Sequence, residues 1–268
     1  STISMSSPTA TITGGGKPLN NLTIDPTTAG TITLNVGINA LTVSGTLLVE
    51  TGDTLSLSGE LVAPGTITLN GTISGSSLLI IKDTSTGPGT AGTLNAPVQY
   101  DASNNNITAA TFDARTYGGQ VAAYANDPTP WTITMAAGTY TFNAGLSVNA
   151  AGAADVTLDG SVNNPTVNVT ALVSAVNFGT GPGSEVLKSG TGTWTVSGGS
   201  VDFTGGTYTA ASGNTLVMSG GPQTLTTNNQ TFDNLTMSGV FQTISGNLTS
   251  SGNVTLVSGT TLAGVTLT

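Results

Sequence analysis

The chain has 268 residues, with 4 basic and 13 acidic side chains, and its formal net charge is −9. Four scattered cations (Lys17, Lys82, Arg115 and Lys188) cannot neutralise a phosphate backbone or an anionic lipid surface, which excludes nucleic acid and charged membranes as partners. The absence of histidine and cysteine removes Ser-His-Asp and Cys-His catalysis and the common zinc ligands, and no apolar run has the length of a membrane-spanning helix, about 20 residues.

The composition favours strands over helices. Thr and Ser number 51 and 26, and 37 residues are Gly. β-Branched residues suit a half-buried pleated surface, whereas Gly and Ser are poor helix formers. The chain therefore predicts an all-β protein.

Alternating apolar and Thr/Ser segments recur along most of the chain. They begin in an N-terminal strand segment (1–13), fill a first β-repeat region (14–95) and resume in a second one (132–268). "GTITLN" (30–35), "GTYTFN" (138–143) and "NLTMSG" (234–239) are typical. The period of two places one side of each strand inside, and Gly or Asn ends each segment after about 8–12 residues.

Two architectures fit this pattern. In a right-handed parallel β-helix, a β-solenoid, coils of about 20 residues would form roughly a dozen layers about 4.8 Å apart, hence a rod about 55–60 Å long. In tandem β-sandwich domains, the strands would pair through hairpins, which favour Asn-Gly or Asp-Gly tips. Only Asn70-Gly71 and Asp159-Gly160 provide such tips. We therefore expect the solenoid, with the sandwich as the alternative.

Residues 96–131 interrupt the alternation and predict an insertion, a cap or a domain junction. The segment is rich in Ala, and a Pro-marked stop follows residues 119–125, which predicts one short helix there. Four aromatic residues, Tyr100, Tyr117, Tyr124 and Trp131, lie in it. They could form a sugar-stacking patch, but the interpretation we favour places them in the core.

The two ends of the chain repeat one another. "LTVSGTLLVETGDTL" (41–55) and "LTSSGNVTLVSGTTL" (248–262) are identical at seven of fifteen positions, at a fixed offset of 207. A second pair of similar segments, "LNNLTI" (19–24) and "FDNLTM" (232–237), lies upstream of the first pair. Such repetition indicates one strand–turn–strand unit used many times, and it requires no catalytic residue.

The stretch 192–239, with 246–262, carries motifs of the form W-x-V-x-G, D-F-x-x-G-x-Y, Q-T-L and F-x-N-L-T-x-S-G. It resembles the repeats of large secreted surface proteins of bacteria and archaea. The resemblance is good over these two stretches, fair over 19–60 and absent over 96–131. It implies a β-solenoid with an extracellular structural or adhesive role, and the family has no shared catalytic residues to carry over. The matching positions are Trp194, Val196, Asp202, Phe203, Gly206, Tyr208, Gln223, Leu225, Phe232, Asn234 and Leu235.

Chemistry based on carboxylates is the remaining catalytic route. Asp155 and Asp159 are the tidiest local pair, but four residues of strand span about 13 Å, too far for two carboxyls acting on one glycosidic bond. Isolated cations such as Arg115 provide no proton-abstracting site of the kind that lyases use. We therefore expect no enzymatic activity and no cofactor, with a polysaccharide-degrading β-helix as a minor alternative. "DGSVNN" offers Asp159, Ser161 and Asn163 as a weak candidate for structural calcium, although the loop lacks the terminal acid.

Eight Asn-x-Ser/Thr sequons are candidate N-glycosylation sites in a secreted chain. Their number is close to what this Ser/Thr-rich composition gives by chance. The residues are Asn21, Asn70, Asn106, Asn168, Asn229, Asn234, Asn247 and Asn253.

Thr-x-Thr steps suggest an ice-binding surface as a further minor alternative. They occur at Thr31/Thr33, Thr66/Thr68, Thr132/Thr134, Thr207/Thr209 and Thr224/Thr226. Their irregular spacing argues against this interpretation, because Thr is also the common residue of an exposed strand face.

The positive evidence favours a mechanical role. Residues 1–13 and the last eight residues read as strands without charge, and strand edges without charge are prone to pair with another chain. We expect a structural subunit of an extracellular filament, sheath or surface matrix, in which residues 1–13 donate a strand to the next copy. The alternative is a carbohydrate-binding adhesin or fibre segment, with polysaccharide or other surface proteins as partners.

Overall fold

The computed structural model of the chain is an all-β solenoid of about 12 turns in which every described strand pair is parallel. It describes residues 1–13, 16–26, 28–37, 39–152, 155–179, 181–257, 259–263 and 266. The predicted β-solenoid is confirmed. The tandem-sandwich alternative is wrong, because strands neighbouring in a sheet come from successive turns rather than from hairpins.

The strands are short and are numbered here in chain order. Turns 1–4 contain β1 (Thr2–Met5), β2 (Thr9–Thr13), β3 (Asn21–Ile24), β4 (Thr31–Asn35), β5 (Leu41–Thr42), β6 (Thr46–Val49), β7 (Thr54–Leu57), β8 (Leu61–Ala63), β9 (Thr66–Leu69), β10 (Thr72–Gly75) and β11 (Leu79–Lys82). Turns 5–8 contain β12 (Thr93–Leu94), β13 (Val98–Asp101), β14 (Thr116–Tyr117), β15 (Val121–Ala125), β16 (Trp131–Thr134), β17 (Thr139–Phe142), β18 (Leu146–Ala150), β19 (Val156–Asp159), β20 (Thr166–Val169) and β21 (Ser174–Phe178). Turns 9–12 contain β22 (Glu185–Gly190), β23 (Thr193–Val196), β24 (Ser200–Asp202), β25 (Gly206–Ala210), β26 (Thr215–Met218), β27 (Thr224–Thr226), β28 (Thr231–Phe232), β29 (Asn234–Met237), β30 (Thr243–Ser245), β31 (Thr249–Ser250), β32 (Val254–Leu256) and β33 (Thr261–Ala263).

The strands stack into three faces. Face 1 consists of the four-stranded sheet β1-β3-β6-β9 and the six-stranded sheet β16-β19-β22-β25-β28-β31. Between these two sheets, turns 5 and 6 contribute only single bridges, at Thr86 and Ile107. Face 2 is the twelve-stranded sheet β2-β4-β7-β10-β12-β14-β17-β20-β23-β26-β29-β32, and face 3 is the eleven-stranded sheet that runs from β5 to β33.

One continuous core fills the space between the three faces. Turns 3 and 4 contribute aliphatic side chains such as Leu47, Leu55 and Ile73, all fully buried. The middle of the solenoid contributes a cluster of five buried rings, Tyr100, Phe112, Tyr117, Tyr140 and Phe142, whose contacting centroids lie 4.2–6.5 Å apart. A second aromatic cluster follows in turns 8–11, formed by Phe178, Phe203, Tyr208 and Phe232.

The length of a turn varies while neighbouring strands stay paired, with register shifts only in the β21–β24 and β22–β25 pairs among the described strands. Thr54 pairs with Thr72, whereas Leu146 pairs with Val176, so the second of these turns contains many more residues than the first. The corners between faces absorb the difference. Glycine is needed where successive corners touch, because a Cβ on Gly65 would overlap the carbonyl oxygen of Gly45.

The repeated sequence unit falls on different faces at its two occurrences. Residues 41–55 run over faces 3, 1 and 2, whereas 248–262 run over faces 1, 2 and 3. Thus Leu47 lies on face 1, and Val254, its counterpart in the second copy, lies on face 2. The three faces are therefore close to interchangeable in sequence, as expected when each needs only an alternating strand and a tight corner.

The segments 96–131 and 1–13 both contribute strands to the stacked faces. The helix predicted at 119–125 is wrong: Val121–Ala125 is strand β15, with Val121, Ala123 and Ala125 buried and the residues between them facing out. The interrupted segment 96–131 contains β13, β14 and β15, which continue faces 2 and 3 in register. Residues 1–13 form β1 and β2, which pair with β3 and β4 of the same chain, so each keeps one edge for another partner.

Candidate functional site

Face 2 carries an unbroken column of outward side chains, and ten of its twelve members are threonines. Strand pairings connect Thr9 through Thr31, Thr54 and Thr72 to Thr93, and Thr116 through Thr141, Asn168, Thr195, Val217 and Thr236 to Thr255. Leu94 pairs with Tyr117, which places Thr93 beside Thr116 and joins the two halves. We call this set the threonine column.

A second row of polar side chains accompanies the column over two stretches. In turns 1–4 it lies two residues after the column and consists of Thr11, Thr33, Ser56 and Ser74. In turns 7–10 it lies two residues before the column and consists of Thr139, Thr166, Thr193 and Thr215. The face therefore presents paired side chains in eight of its twelve strands.

Face 2 also differs from the other faces in charge. Within the twelve strands of face 2 there is no charged residue. Face 3 has Lys82, Asp101 and Asp202 in its strands, and face 1 has Asp159, Glu185 and Lys188. The two ion pairs among the described residues, Lys82–Asp101 at 2.5 Å and Lys188–Asp159 at 3.7 Å, both lie off face 2.

The terminal turns expose residues from inward columns. Val254 and Leu256 on β32 are 39% and 37% exposed, whereas Leu235 and Met237, their neighbours one turn earlier, are fully buried. At the other end, Ile12 on β2 is half-buried, and its neighbour Leu34 is fully buried. On face 2, the described solenoid thus ends at each side in a strand, β2 or β32, with apolar side chains and an unpaired outer edge, whereas on face 1 Thr266 O accepts a hydrogen bond from Leu248 N of the last turn.

Two of the aromatic residues predicted for sugar stacking lie in the core. Tyr100 and Tyr117 are fully buried and their Oη atoms lie 2.9 Å apart, so neither ring offers a face to a sugar. Burial raises the pKa of both phenols well above the usual value. The stacking prediction is wrong for these two residues, and the core interpretation holds.

The other aromatic side chains are distributed differently from the prediction. Tyr124 and Trp131 are half-buried and lie on different faces, so the four residues do not form one patch. The aromatic side chain with the greatest exposure is Phe241, at 76%, in a corner with φ of 55°. Phe241 was not among the residues predicted from the sequence. The signal was that Val240 and Phe241 follow "SG", where turns 9 and 10 have "SGG" at the equivalent corner.

Carboxylates accept hydrogen bonds from backbone N–H groups at the corners of the solenoid. Asp155 Oδ1 accepts a hydrogen bond from Ser184 N at 3.0 Å, and Asp159 Oδ1 accepts one from Ser161 N at 2.8 Å. Asn163 Nδ2 donates to Met135 O at 2.7 Å, and Lys188 Nζ lies beside Asp159. The side chains of the candidate calcium loop thus make hydrogen bonds and an ion pair within the chain. Over the described ranges, no group of three or more Asp or Glu side chains is arranged to hold a metal ion.

The buried ionisable side chains are also tied to the backbone. Arg115 is 7% exposed and donates from Nη1 to Gly89 O at 2.7 Å and from Nη2 to Gly92 O at 2.9 Å. Glu185 Oε1 accepts from Ala150 N at 2.9 Å, and burial raises the pKa of this carboxyl above its ordinary value. Each contact reaches the backbone of an earlier turn, so both side chains have a structural role.

The sequon asparagines divide into two groups. Asn21, Asn168 and Asn234 are half-buried, and the amide of Asn234 donates to Asn214 O at 2.9 Å in the preceding turn. The exposed ones are Asn70, Asn106, Asn229, Asn247 and Asn253. Glycosylation remains a prediction, for which the exposed group offers the accessible amides.

Comparison with known proteins supplies no relative for this chain. No protein-family model, curated protein or solved structure matches it. Among the residues with described positions, no helix has the length and apolarity needed to cross a membrane.

Proposed function

We propose that this chain is a structural subunit of an extracellular filament, sheath or surface matrix, in which solenoids stack end to end. The observation that carries the proposal is the pair of apolar, unpaired edges. Residues whose column neighbours are fully buried, such as Val254 and Leu256, lie open at the last described turn. Burying such side chains is favourable by about 25 cal/mol per Å² of apolar surface.

We propose that each end of the solenoid binds the opposite end of a second copy of the chain. β32 and β2 both belong to face 2, so a strand-to-strand junction would continue the existing columns. Residues 1–13 and 246–268 contain no charged side chain, so two copies of this acidic chain meet there without like-charge repulsion. Terminal turns of soluble solenoids usually carry a polar cap, and edges are usually blunted by charge or proline.

The edge-to-edge junction proposed here differs from the strand donation predicted from the sequence. Because β1 and β2 already pair with β3 and β4, they would offer their outer edges rather than leave their own solenoid. Such head-to-tail contacts are heterologous and generate open polymers. The resemblance of residues 192–239 and 246–262 to repeats of secreted surface proteins supports the extracellular setting.

The proposal is tested by electron microscopy and light scattering of the purified chain. We expect rods several times longer than one solenoid, whose eleven turn-to-turn steps of about 4.8 Å span about 53 Å. Leu256→Lys and Ile12→Lys place a charge at either edge and should give single particles. Val162→Lys is the matched control, because Val162 lies in a corner away from both ends and is 67% exposed.

Single particles from the unaltered chain at every concentration would overturn the proposal. Single particles would also result if another segment of a longer chain covered the edge, and that result would equally contradict end-to-end stacking. Equal polymerisation by Leu256→Lys and by Val162→Lys would also overturn it, because the contact would then lie elsewhere.

A further inference from the structure

Face 2 presents a two-dimensional array of hydroxyl and methyl groups. Along the threonine column, successive members belong to neighbouring strands and are therefore about 4.8 Å apart. Along each strand, paired side chains such as Thr31 and Thr33 are two residues, about 6.6 Å, apart. The column crosses all twelve strands and extends over about 53 Å.

The hydroxyls of this array are free for an external partner. Other Thr hydroxyls, such as Thr111 Oγ1 and Thr227 Oγ1, donate to backbone carbonyls of neighbouring turns. No side chain of the threonine column has a hydrogen bond within the part of the chain that the structure describes. Because Thr is β-branched, its χ1 is stiff, and the rows are held in place before any partner arrives.

The side chains of face 2 limit the classes of partner that it could bind. Its strands carry no charge, and their four aromatic residues all point inward and are at most 2% exposed; these are Tyr117, Tyr140, Phe142 and Trp194. A charged polymer or surface finds no counter-charge here, and a sugar finds no ring to stack on. What fits is a rigid, uncharged lattice that repeats in two dimensions and both donates and accepts hydrogen bonds.

We propose that face 2 binds ice, with the threonine column and its accompanying row as the contact surface. Water molecules held between the hydroxyls at these spacings would join the lattice, and the methyl groups would occupy the space between them. The irregular sequence intervals between Thr pairs do not argue against this site, because the corners absorb them and the column stays continuous. The inference goes beyond the proposed stacking and holds for a single solenoid.

The test measures thermal hysteresis and the partition of the purified chain into slowly growing ice. We expect the unaltered chain to be enriched in the ice fraction and to produce hysteresis. Thr141→Tyr places a bulky ring in the middle of the column and should lower both readouts about tenfold, equivalent to about 1.4 kcal/mol of binding. Thr72→Tyr is a second, independent variant in turn 4.

Ser147→Tyr is the matched control, because Ser147 is a half-buried outward residue of the same turn on face 3. It should leave both readouts unchanged, and circular dichroism checks that all variants keep their strands. Exclusion of the unaltered chain from ice would overturn the inference, and so would binding to crystalline cellulose without binding to ice. Equal loss in Ser147→Tyr and Thr141→Tyr would also overturn the assignment to face 2. None of these outcomes decides the proposed end-to-end stacking, which electron microscopy and light scattering test separately.

Discussion

Turns 3 and 4 and turns 6 and 7 fill the same three-faced solenoid in different ways. Thr54 of turn 3 pairs with Thr72 of turn 4, and the core between these turns is aliphatic. Thr116 of turn 6 pairs with Thr141 of turn 7, so the chain takes a longer path around the solenoid there. The core of these longer turns holds Phe112, Tyr117, Tyr140 and Phe142. The hydrogen-bonded register is thus kept, while the corners and the cross-section change with the residues inside.

The aromatic turns also have requirements that the aliphatic turns lack. Buried hydroxyls must find partners. Tyr117 Oη donates to Asp113 O at 2.9 Å, and Tyr140 Oη donates to Phe112 O at 2.6 Å. The corner between faces 1 and 2 therefore supplies backbone carbonyl acceptors for these two tyrosine hydroxyls, and the hydrogen bonds fix the corner to the core.

Truncation of a ring should give the largest effect. Phe112 contacts Tyr100, Tyr117, Tyr140 and Phe142, and Phe112→Ala should lower the free energy of unfolding by about 4 kcal/mol. Leu57→Ala, at a fully buried aliphatic position of turn 3, should cost about 3 kcal/mol. Urea titration of both variants measures the difference. A smaller loss for Phe112→Ala than for Leu57→Ala would show that the aromatic turns are loosely packed.

Removing a single hydroxyl should give a smaller effect. Tyr117→Phe deletes the donor to Asp113 O and the partner of Tyr100 Oη, which should cost about 1–2 kcal/mol. Tyr124→Phe is the control on the outside of face 3 and should change stability by less than about 0.5 kcal/mol. Indistinguishable urea midpoints for the two variants would contradict the hydrogen-bonded account of the aromatic core.

The smallest effect should depend on pH. Burial raises the pKa of Glu185 above its ordinary value of 4.5, so folding favours the protonated carboxyl. The stability it contributes is full below pH 4.5 and is lost as the pH rises through the higher folded-state pKa. Glu185→Gln should therefore match the unaltered chain near pH 3 and melt at a higher temperature near pH 7. A difference that is the same at both pH values would contradict this.

Much of the fold could be predicted from the sequence, because the alternation that makes strands is local. "GTITLN" and "GTYTFN" indicate strands β4 and β17 directly. The helix prediction fails at β15 because Ala stands at both inward and outward positions of "VAAYA", which hides the period of two. Burial of Ala123 and Ala125 among neighbouring turns decides the outcome, and that is a tertiary effect.

The candidate surfaces were harder to predict because they depend on register between turns. Thr141 and Asn168 are neighbours in the column, but a whole turn of strand and corner separates them along the chain. Tyr100 and Tyr117 meet in the core although one belongs to face 3 and the other to face 2. Phe241 could have been flagged only as an aromatic residue outside the alternation.

Electron cryomicroscopy of assemblies of the unaltered chain tests the central claim most directly. We predict a continuous rod in which the layer spacing of about 4.8 Å passes through each junction without a break, with β32 of one copy beside β2 of the next. Isolated particles about 53 Å long, or junctions at which face 2 is interrupted, would contradict the account.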